Sequence, residues 1–318
     1  MRWLVWRQHR WDAASAFAVL ALLGGSMLVL AALSANALAE ISRVCATQSP
    51  DCGTLRTNYS GSFGATQTFL SLAGIVVPAL IGVFVGAPLV AREFELGTHL
   101  MVWAQGITRR RWFISKVLLI AAGTLLGTAC LGAVYQVWLA PQEPVTNLWY
   151  SFDVEPPVLV AYSLFALILG IAFGTLIQRT VPAMAATLVS FVGVRVLIEL
   201  FARPIYVPPL TWDTGTNSPT GASLLFVGTE AHVDLAGHAI ADSRWNEALQ
   251  QCSSLPVQPG KSTGTPLHDC LLSHGVLVVQ QYQPESRFWL FQSIEAAIFI
   301  AIAVLLGLIA YRLVARKS

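Results

Sequence analysis

Charged residues are scarce in this chain of 318 residues: Asp, Glu, Lys and Arg make up 11% of it, whereas 55% of it is hydrophobic. Soluble domains carry about 25% charged residues, so the composition excludes an ordinary soluble domain. The mean hydropathy of +0.63 indicates instead an integral membrane protein.

Histidine is absent from every long apolar run, which disfavours a haem-ligating cytochrome or an intramembrane metalloprotease. Four histidines fall between residues 203 and 286, namely His232, His238, His268 and His274. Their spacings match no strong zinc motif, so we expect ordinary surface histidines and no bound metal.

A complete nucleotide-binding P-loop is also lacking. Gly260-Lys261-Ser262 is similar to the end of that motif, but the motif needs a glycine five residues before Gly260, and that position is Leu255. We therefore expect that this chain binds no cofactor and is not an ATPase, so any ATP and Mg²⁺ would be held by a separate polypeptide.

Cysteine is rare, with five residues in all. Disulfides persist in oxidising compartments, and four of the cysteines form two local pairs. Of the three possible connectivities, Cys45–Cys52 and Cys252–Cys270 need the least loop closure and are the predicted disulfides. Cys130 lies within an apolar run and is expected to be an inert buried thiol.

Long apolar runs dominate the rest of the chain. A helix needs about 20 apolar residues to cross the hydrocarbon layer, and six stretches qualify, at roughly 14–38, 69–91, 114–139, 158–177, 182–202 and 288–311. The length of the runs favours helices over the short alternating strands of a barrel. The predicted fold class is an all-α integral membrane protein with six transmembrane helices.

The distribution of Lys and Arg predicts the orientation, because short cytoplasmic loops carry an excess of both. If the amino terminus lies inside, the inner segments hold twelve of the nineteen Lys and Arg residues. We therefore expect both termini to be cytoplasmic, in the plasma membrane. Residues 203–286 then form a small, disulfide-clamped extracytoplasmic domain between helices five and six, and residues 287–318 form the sixth helix and a cytoplasmic tail.

The first 13 residues mix three tryptophans with three arginines, which favours an amphipathic helix in the headgroup layer. Helices one to five then occupy residues 14–202, with a loop joining the first two to about Gln67. Pro78 and Pro88 are expected to kink the second helix. Glycine pairs four residues apart, such as Gly82 and Gly86, indicate close helix packing.

A charged, glycine-broken segment over residues 92–113 joins the second and third helices. Gly97 is expected to end the second helix and Thr98 to cap a short helix over 98–105. The residues expected to couple this segment to a partner are Arg92, Glu93, Glu95, Gly97, Thr98, Thr108, Arg109, Arg110 and Arg111. A loop that merely anchors on lipid phosphates is the alternative.

This segment resembles the permease subunits of ABC-2 type ABC exporters, and the long ending after Tyr282 is similar to such permeases from actinobacteria. The resemblance covers the six-helix layout of the whole chain, although its sequence signal is mostly residues 91–116. Gln105-Gly106 departs from the Ser-Pro or Thr-Pro that often stands there. In that family the segment holds a coupling helix that docks on a separate ABC ATPase subunit, and the permease works as a dimer.

Three ionisable residues lie inside the apolar runs: Arg195, Glu199 and Glu295. A charge in hydrocarbon costs about 2.5–3.5 kcal/mol on insertion scales, so each should face protein or a wet cavity. Arg195 is expected to pair with either carboxylate. The pair is interpreted as a structural tether, with contact to a cationic or amphipathic substrate as the alternative.

The leading hypothesis is the permease subunit of an ABC exporter, which lines the pathway for a small amphipathic substrate and couples it to an ATPase subunit and a second permease subunit. A homodimer and a heterodimer fit equally well. A membrane-embedded enzyme and a ligand sensor with an extracytoplasmic domain are the rival classes, and nothing predicts nucleic-acid binding.

Overall fold

The structure is a computed structural model that describes residues 2–47, 51–97, 108–139, 148–213, 224–253 and 266–316. It divides into two units, Met1–Leu200 with Trp289–Ser318 and Phe201–Phe288. Long helices make up the described part of the first unit, whereas the second contains a three-stranded sheet. The chain is therefore mostly helical rather than all-α.

Six helical stretches in the described ranges are long and apolar enough to cross a bilayer, judged by length and composition. They are Gly24–Ala46, Asp51–Glu95, Arg109–Leu139, Leu148–Ile177, Thr180–Ile205 and Glu285–Arg316. Their number agrees with the six predicted spans. Each contains at least the roughly 20 residues that a helix needs to cross a bilayer.

The first helix, α1 (Arg2–Ala46), is continuous. The predicted interfacial helix over residues 1–13 is helical from Arg2 and runs into the first span without a break. No glycine or proline occurs before Gly24, so nothing in the local sequence ends the helix there.

The predicted loop between the first two spans is wrong, because the chain there is helical. Helix α1 extends to Ala46, and α2 (Asp51–Ser71) follows after a short connection. The hydroxyls of Thr57, Thr66 and Thr68 each donate to the carbonyl four residues earlier, so these polar side chains are satisfied within a helix. The predicted Cys45–Cys52 disulfide is present and joins the two helix ends.

The second span changes its helical form between its two prolines. Helix α3 (Ala73–Leu80) contains Pro78, a π-helical turn covers Ile81–Gly86, and α4 (Ala87–Glu95) carries Pro88 in its first turn. A proline has no N–H to donate to the carbonyl four residues earlier. The wider π turn before Pro88 accommodates that missing hydrogen bond.

Helix α6 (Pro156–Ile177) packs against this π turn almost backbone to backbone. A Cβ atom at Gly170 would lie 2.3 Å from the carbonyl oxygen of Gly82, closer than two such atoms can approach. Cβ atoms at Gly86 and Gly174 would lie 2.5 and 2.7 Å from backbone oxygens of the facing helix. These glycines therefore permit the second and fourth spans to touch.

Helix α5 (Arg109–Leu139) is packed less tightly along part of its length. Beyond the backbone of its own helix and its chain neighbours, no atom of the described residues lies within 4 Å of the position that a Cβ at Gly123 would occupy. The expectation of a buried thiol at Cys130 is wrong, because Cys130 is exposed. An apolar run alone does not show which face of a span packs against protein.

Helices α6 and α7 (Thr180–Leu197) are joined by two residues, whereas the apolar runs 158–177 and 182–202 leave four residues between them. Gln178 adopts a left-handed conformation with φ of 60°, which lets the chain reverse at once. A π-helical turn, Ile198–Ala202, extends α7.

The second unit contains an antiparallel sheet in the order β1 (Leu210–Asp213), β3 (Val276–Pro284), β2 (Leu224–Asp234). Among these strands only β3 carries a strand signal in the sequence, a weak alternation over 276–282. The register of β2 against β3 shifts between Val227 and Ala231. That irregularity interrupts the period-two alternation by which a strand is recognised.

Two short helices complete the second unit: α8 (Asp242–Ser253) and α9 (Pro266–Ser273). The predicted Cys252–Cys270 disulfide is present and clamps them together. Ala248, Leu271 and Val276 are buried beside it and form a small core. A core of this size gives little burial, so the disulfide carries much of the constraint.

The last helix, α10 (Phe288–Arg316), returns to the first unit. Its Ala310 and Val314 form a buried core with Val90 of α4, Phe113 of α5 and Ile171 of α6. Arginines surround this end of the four helices, and we call it the basic end: Arg92, Arg109, Arg110, Arg111, Arg179, Arg312 and Arg316.

Candidate functional site

The second span ends at the basic end in a way that ties it to the fifth. Helix α4 stops at Glu95, and Gly97 follows with φ of 68°, a conformation that terminates a helix. Glu95 Oε2 accepts hydrogen bonds from the backbone N–H of Thr180 at 2.9 Å and from its hydroxyl at 2.6 Å. A carboxylate from α4 therefore caps the first turn of α7.

A buried ion pair joins the second span to the third. Lys116 is only 3% exposed, and its ammonium group pairs with a carboxylate oxygen of Glu93. The same nitrogen lies 5.4 Å from the centre of the Trp112 ring. Breaking a buried pair by removing one partner is costly. The pair therefore holds α4 and α5 together at the two ends of the charged segment that joins them.

The segment between Glu95 and Lys116 lies mostly outside the described residues. Thr98 and the predicted coupling helix over 98–105 fall in this undescribed part. Thr108 is exposed, and its carbonyl accepts the N–H of Trp112 at 3.0 Å. Among the arginines, Arg92, Arg110 and Arg111 are exposed, whereas Arg109 is half-buried.

The three predicted intramembrane charges meet in one network around Arg195, which is 2% exposed. Its Nη1 lies 3.2 Å from Glu295 Oε1, and Glu295 is fully buried. Its Nη2 lies 3.8 Å from Glu199 Oε2, whose side chain is 42% exposed. Both expected pairings of Arg195 are present, although Glu295 is the close and buried one.

Two further members of this Arg195 network were missed by the sequence reasoning. Arg195 Nη1 donates to the hydroxyl of Tyr162 at 2.8 Å, and Nη2 lies 3.0 Å from Asp153 Oδ1. The Tyr162 hydroxyl also donates to Glu295. The only signals were one tyrosine in the fourth apolar run and Asp153 as one of two carboxylates just before that run.

The network connects four elements of the first unit. Tyr162 belongs to α6, Arg195 to α7 and Glu295 to α10, while Asp153 lies in a 3₁₀ helix, Leu148–Val154. One guanidinium therefore faces three carboxylates, two of which are at 3.2 Å or closer. Such a set can hold helices in register, and the exposed carboxylate of Glu199 can also meet a cation.

The histidines of the second unit have structural surroundings. The His232 ring stacks on Trp245 at 3.9 Å between ring centres. His274 lies near the sulfurs of Cys252 and Cys270, and these three residues are the one metal-like group among the described residues. Both sulfurs are bonded to each other, so they do not offer thiolates to an ion. His268 and Gly260-Lys261-Ser262 fall where no side chains are described.

A tight turn after β2 perturbs one carboxyl group of the second unit. The backbone N–H groups of His238 and Ala236 donate to Asp234 Oδ1 at 2.9 Å each. The hydrogen bond from His238 is the largest of the effects that hold the pKa of Asp234 below its usual range. Gly237, with φ of 84°, permits the turn.

Comparison with known proteins gives one match. A model of the family described as ABC-2 membrane transporter related matches residues 17–203, more than half of the chain. The matched range contains the arginines of the basic end from Arg92 to Arg179, as well as Arg195 and Glu199. Searches of curated proteins and of solved structures found no match.

Proposed function

The chain belongs to the ABC-2 membrane transporter related family, and from this membership we propose that it is the membrane-spanning permease subunit of an ABC exporter. The match over residues 17–203 carries the proposal. A separate ABC ATPase subunit binds ATP and Mg²⁺, and a second permease subunit completes the pathway for a small amphipathic substrate.

The contacts at the basic end support a coupling role for residues 92–113. A force on this segment reaches α4 and α5 at once, because the buried Lys116–Glu93 pair joins them. It also reaches α7, because Glu95 caps the helix at Thr180. The second, third and fifth spans would therefore move together when a partner pushes on the segment.

Close packing extends this path to the fourth span. The π turn of the second span touches α6 at Gly82 and Gly170 with no side chain between them. Interfaces of this kind slide or rotate as rigid bodies and do not deform continuously. The Arg195 network lies on the same α6 and α7 helices, and we assign it the role of a tether that keeps them in register with α10.

We further propose that both termini and the basic end face the cytoplasm and that the second unit is extracytoplasmic, in the plasma membrane. The excess of arginine at one end of the helices supports this orientation. The two disulfides support it as well, because disulfides persist in oxidising compartments.

Co-purification tests the proposal. The full-length tagged chain is extracted from its native membrane, and the proteins that accompany it are identified by mass spectrometry. We expect a P-loop ATPase with the wild type and its loss when Arg109, Arg110 and Arg111 are all replaced by Glu. Arg244→Glu, on the exposed surface of the second unit, is a single charge-reversal control. Absence of any ATPase from the wild-type preparation would contradict the proposal.

A further inference from the structure

An apolar groove with a volume of about 330 Å³ opens on the surface of the first unit. It runs between α5, α6 and α10, and residues of all three helices line it. Leu118 is 63% exposed and Leu308 is 53% exposed at its rim, so the groove faces the surroundings of the helices. Gly307 lies in its wall, where a larger side chain would project into the groove.

Two arginines continue the groove at the basic end. Arg110 precedes Phe113, Ile114 and Val117 of the lining by three, four and seven residues, so all four share one face of α5. Arg312 follows Leu308 by four residues on α10. Helical side chains tilt towards the amino terminus of their helix, so Arg312 inclines back along the groove.

Both guanidinium groups are available for a ligand. Arg110 and Arg312 are exposed, and neither makes an ion pair with another residue that the structure describes. The site thus presents an apolar slot between three candidate membrane spans that ends in two cations. That order of chemistry matches an acyl chain followed by a phosphate.

We propose that this groove, with Arg110 and Arg312, binds one acyl chain and the headgroup phosphate of an anionic phospholipid. Arginine recognises phosphate oxygens by charge-assisted hydrogen bonds, and basic pockets between spans are known to take anionic headgroups. The inference depends on the chain spanning a membrane. It shares Arg110 with the coupling segment proposed above, whereas Arg312 and Gly307 lie outside that segment, so variants at these two positions test the groove apart from the ATPase coupling.

A second copy of the chain fits this surface less well. Copies related by a two-fold axis along the membrane normal would meet through the same patch. Each would then bring its own Arg110 and Arg312 to the same end of the interface, and like charges would face each other. An anionic lipid neutralises these arginines instead.

Lipid titration of the purified full-length chain tests the site. The protein is delipidated in detergent and titrated with phosphatidylglycerol or phosphatidylcholine, and native mass spectrometry measures the affinity for the first bound lipid. We expect the wild type to prefer phosphatidylglycerol. Arg110→Ala and Arg312→Ala should each weaken that lipid by about fivefold, since an arginine near anionic lipid contributes about 1 kcal/mol. They should weaken phosphatidylcholine less, because its choline cation offsets the charge of its phosphate.

Two glycine variants separate the slot from the headgroup contact. Gly307→Leu should weaken both lipids by about tenfold, because its side chain occupies the groove, whereas Gly123→Leu, in open space on α5, should change neither. Gly307→Ala is a milder variant, since its Cβ would meet Ile168 Cγ2 at an ordinary 3.6 Å. It reports on the groove if the leucine variant does not fold.

Two outcomes would overturn the inference. One is equal affinity of the wild type for the two lipids. The other is a loss of phosphatidylglycerol binding in Arg179→Ala as large as that in Arg312→Ala, because Arg179 lies at the same end of the helices but in the turn between α6 and α7, away from the lining faces of α5 and α10. That second result would mean that anionic lipid is attracted by the positive charge of this end of the helices in general, and not by a specific site in the groove.

Discussion

The Arg195 network makes a quantitative prediction about the stability of the first unit. Arg195 and Glu295 are 2% and 0% exposed, and their closest atoms lie 3.2 Å apart. Replacing either residue by methionine keeps much of the side-chain volume and removes one charge. The two single variants should not cost the same, because each leaves a different partner behind.

Arg195→Met leaves a fully buried carboxylate without its guanidinium, a change that costs about 3–5 kcal/mol of unfolding free energy. Glu295→Met costs less, about 1.5–3 kcal/mol, because Arg195 keeps Asp153 at 3.0 Å. The double variant removes both buried charges, and replacing such a pair by apolar side chains is often close to neutral. The double loss should therefore fall short of the sum of the single losses by at least about 2–3 kcal/mol.

The assay is reversible unfolding of the full-length chain in bicelles by steric trapping, which yields the free energy of unfolding of each variant. Glu199→Gln is the matched control, because Glu199 lies 3.8 Å from Arg195 with its side chain 42% exposed. It should change stability by no more than about 0.5 kcal/mol. Losses that add within about 0.5 kcal/mol in the double variant would refute a coupled buried pair.

Three further predictions concern packing, the disulfide and pH. Gly170→Ala should lower the unfolding free energy by about 2 kcal/mol or more, because its Cβ would lie 2.3 Å from a backbone oxygen. In the same steric-trapping assay, Gly123→Ala should be neutral or slightly stabilising. Cys252→Ser should lower the unfolding free energy of the second unit by about 3 kcal/mol, since the disulfide closes a loop with a sequence separation of 18. Hydrogen exchange of α8 and α9 measures this loss, and unchanged exchange would contradict the clamp. The ionised carboxylate of Asp234, whose pKa is lowered, stabilises its turn above about pH 4, the ordinary pKa range of an aspartate. This stabilisation is lost as the pH falls through the lowered pKa. Protection of the amide of residue 238, corrected for intrinsic exchange, should fall with acid in the wild type and stay flat in Asp234→Asn; a flat wild-type profile would contradict the assignment.

The sequence predicts those parts of this fold that depend on local composition. The six spans follow from apolar runs of bilayer length, and the two disulfides follow from the nearness of their cysteines in the chain. The burial of Arg195 and Glu295 follows from the cost of an ionised group in hydrocarbon. Each of these signals is present in a single stretch of residues.

The parts that sequence reasoning missed depend on contacts between distant segments. Tyr162 sits in an apolar run where a hydroxyl gives no signal of its own, and Asp153 reads as an ordinary loop acid until the fold brings both to Arg195. The helix after Cys52 was hidden by its Ser, Thr and Gly content, because hydrogen bonds from hydroxyls to the helix backbone are not visible in composition. Strand β2 was hidden by its irregular register.

Photo-crosslinking through residues 98–105 identifies what this segment contacts in the membrane. A photoreactive amino acid is placed at position 101 in the full-length chain, irradiated in intact native membranes, and the cross-linked polypeptide is identified by mass spectrometry. Position 235 in the second unit, where Leu235 is 67% exposed, is the control. If the segment couples the permease to an ATPase, we expect a P-loop ATPase attached at position 101 and none at position 235. Cross-links from position 101 to phospholipid alone would exclude this coupling role.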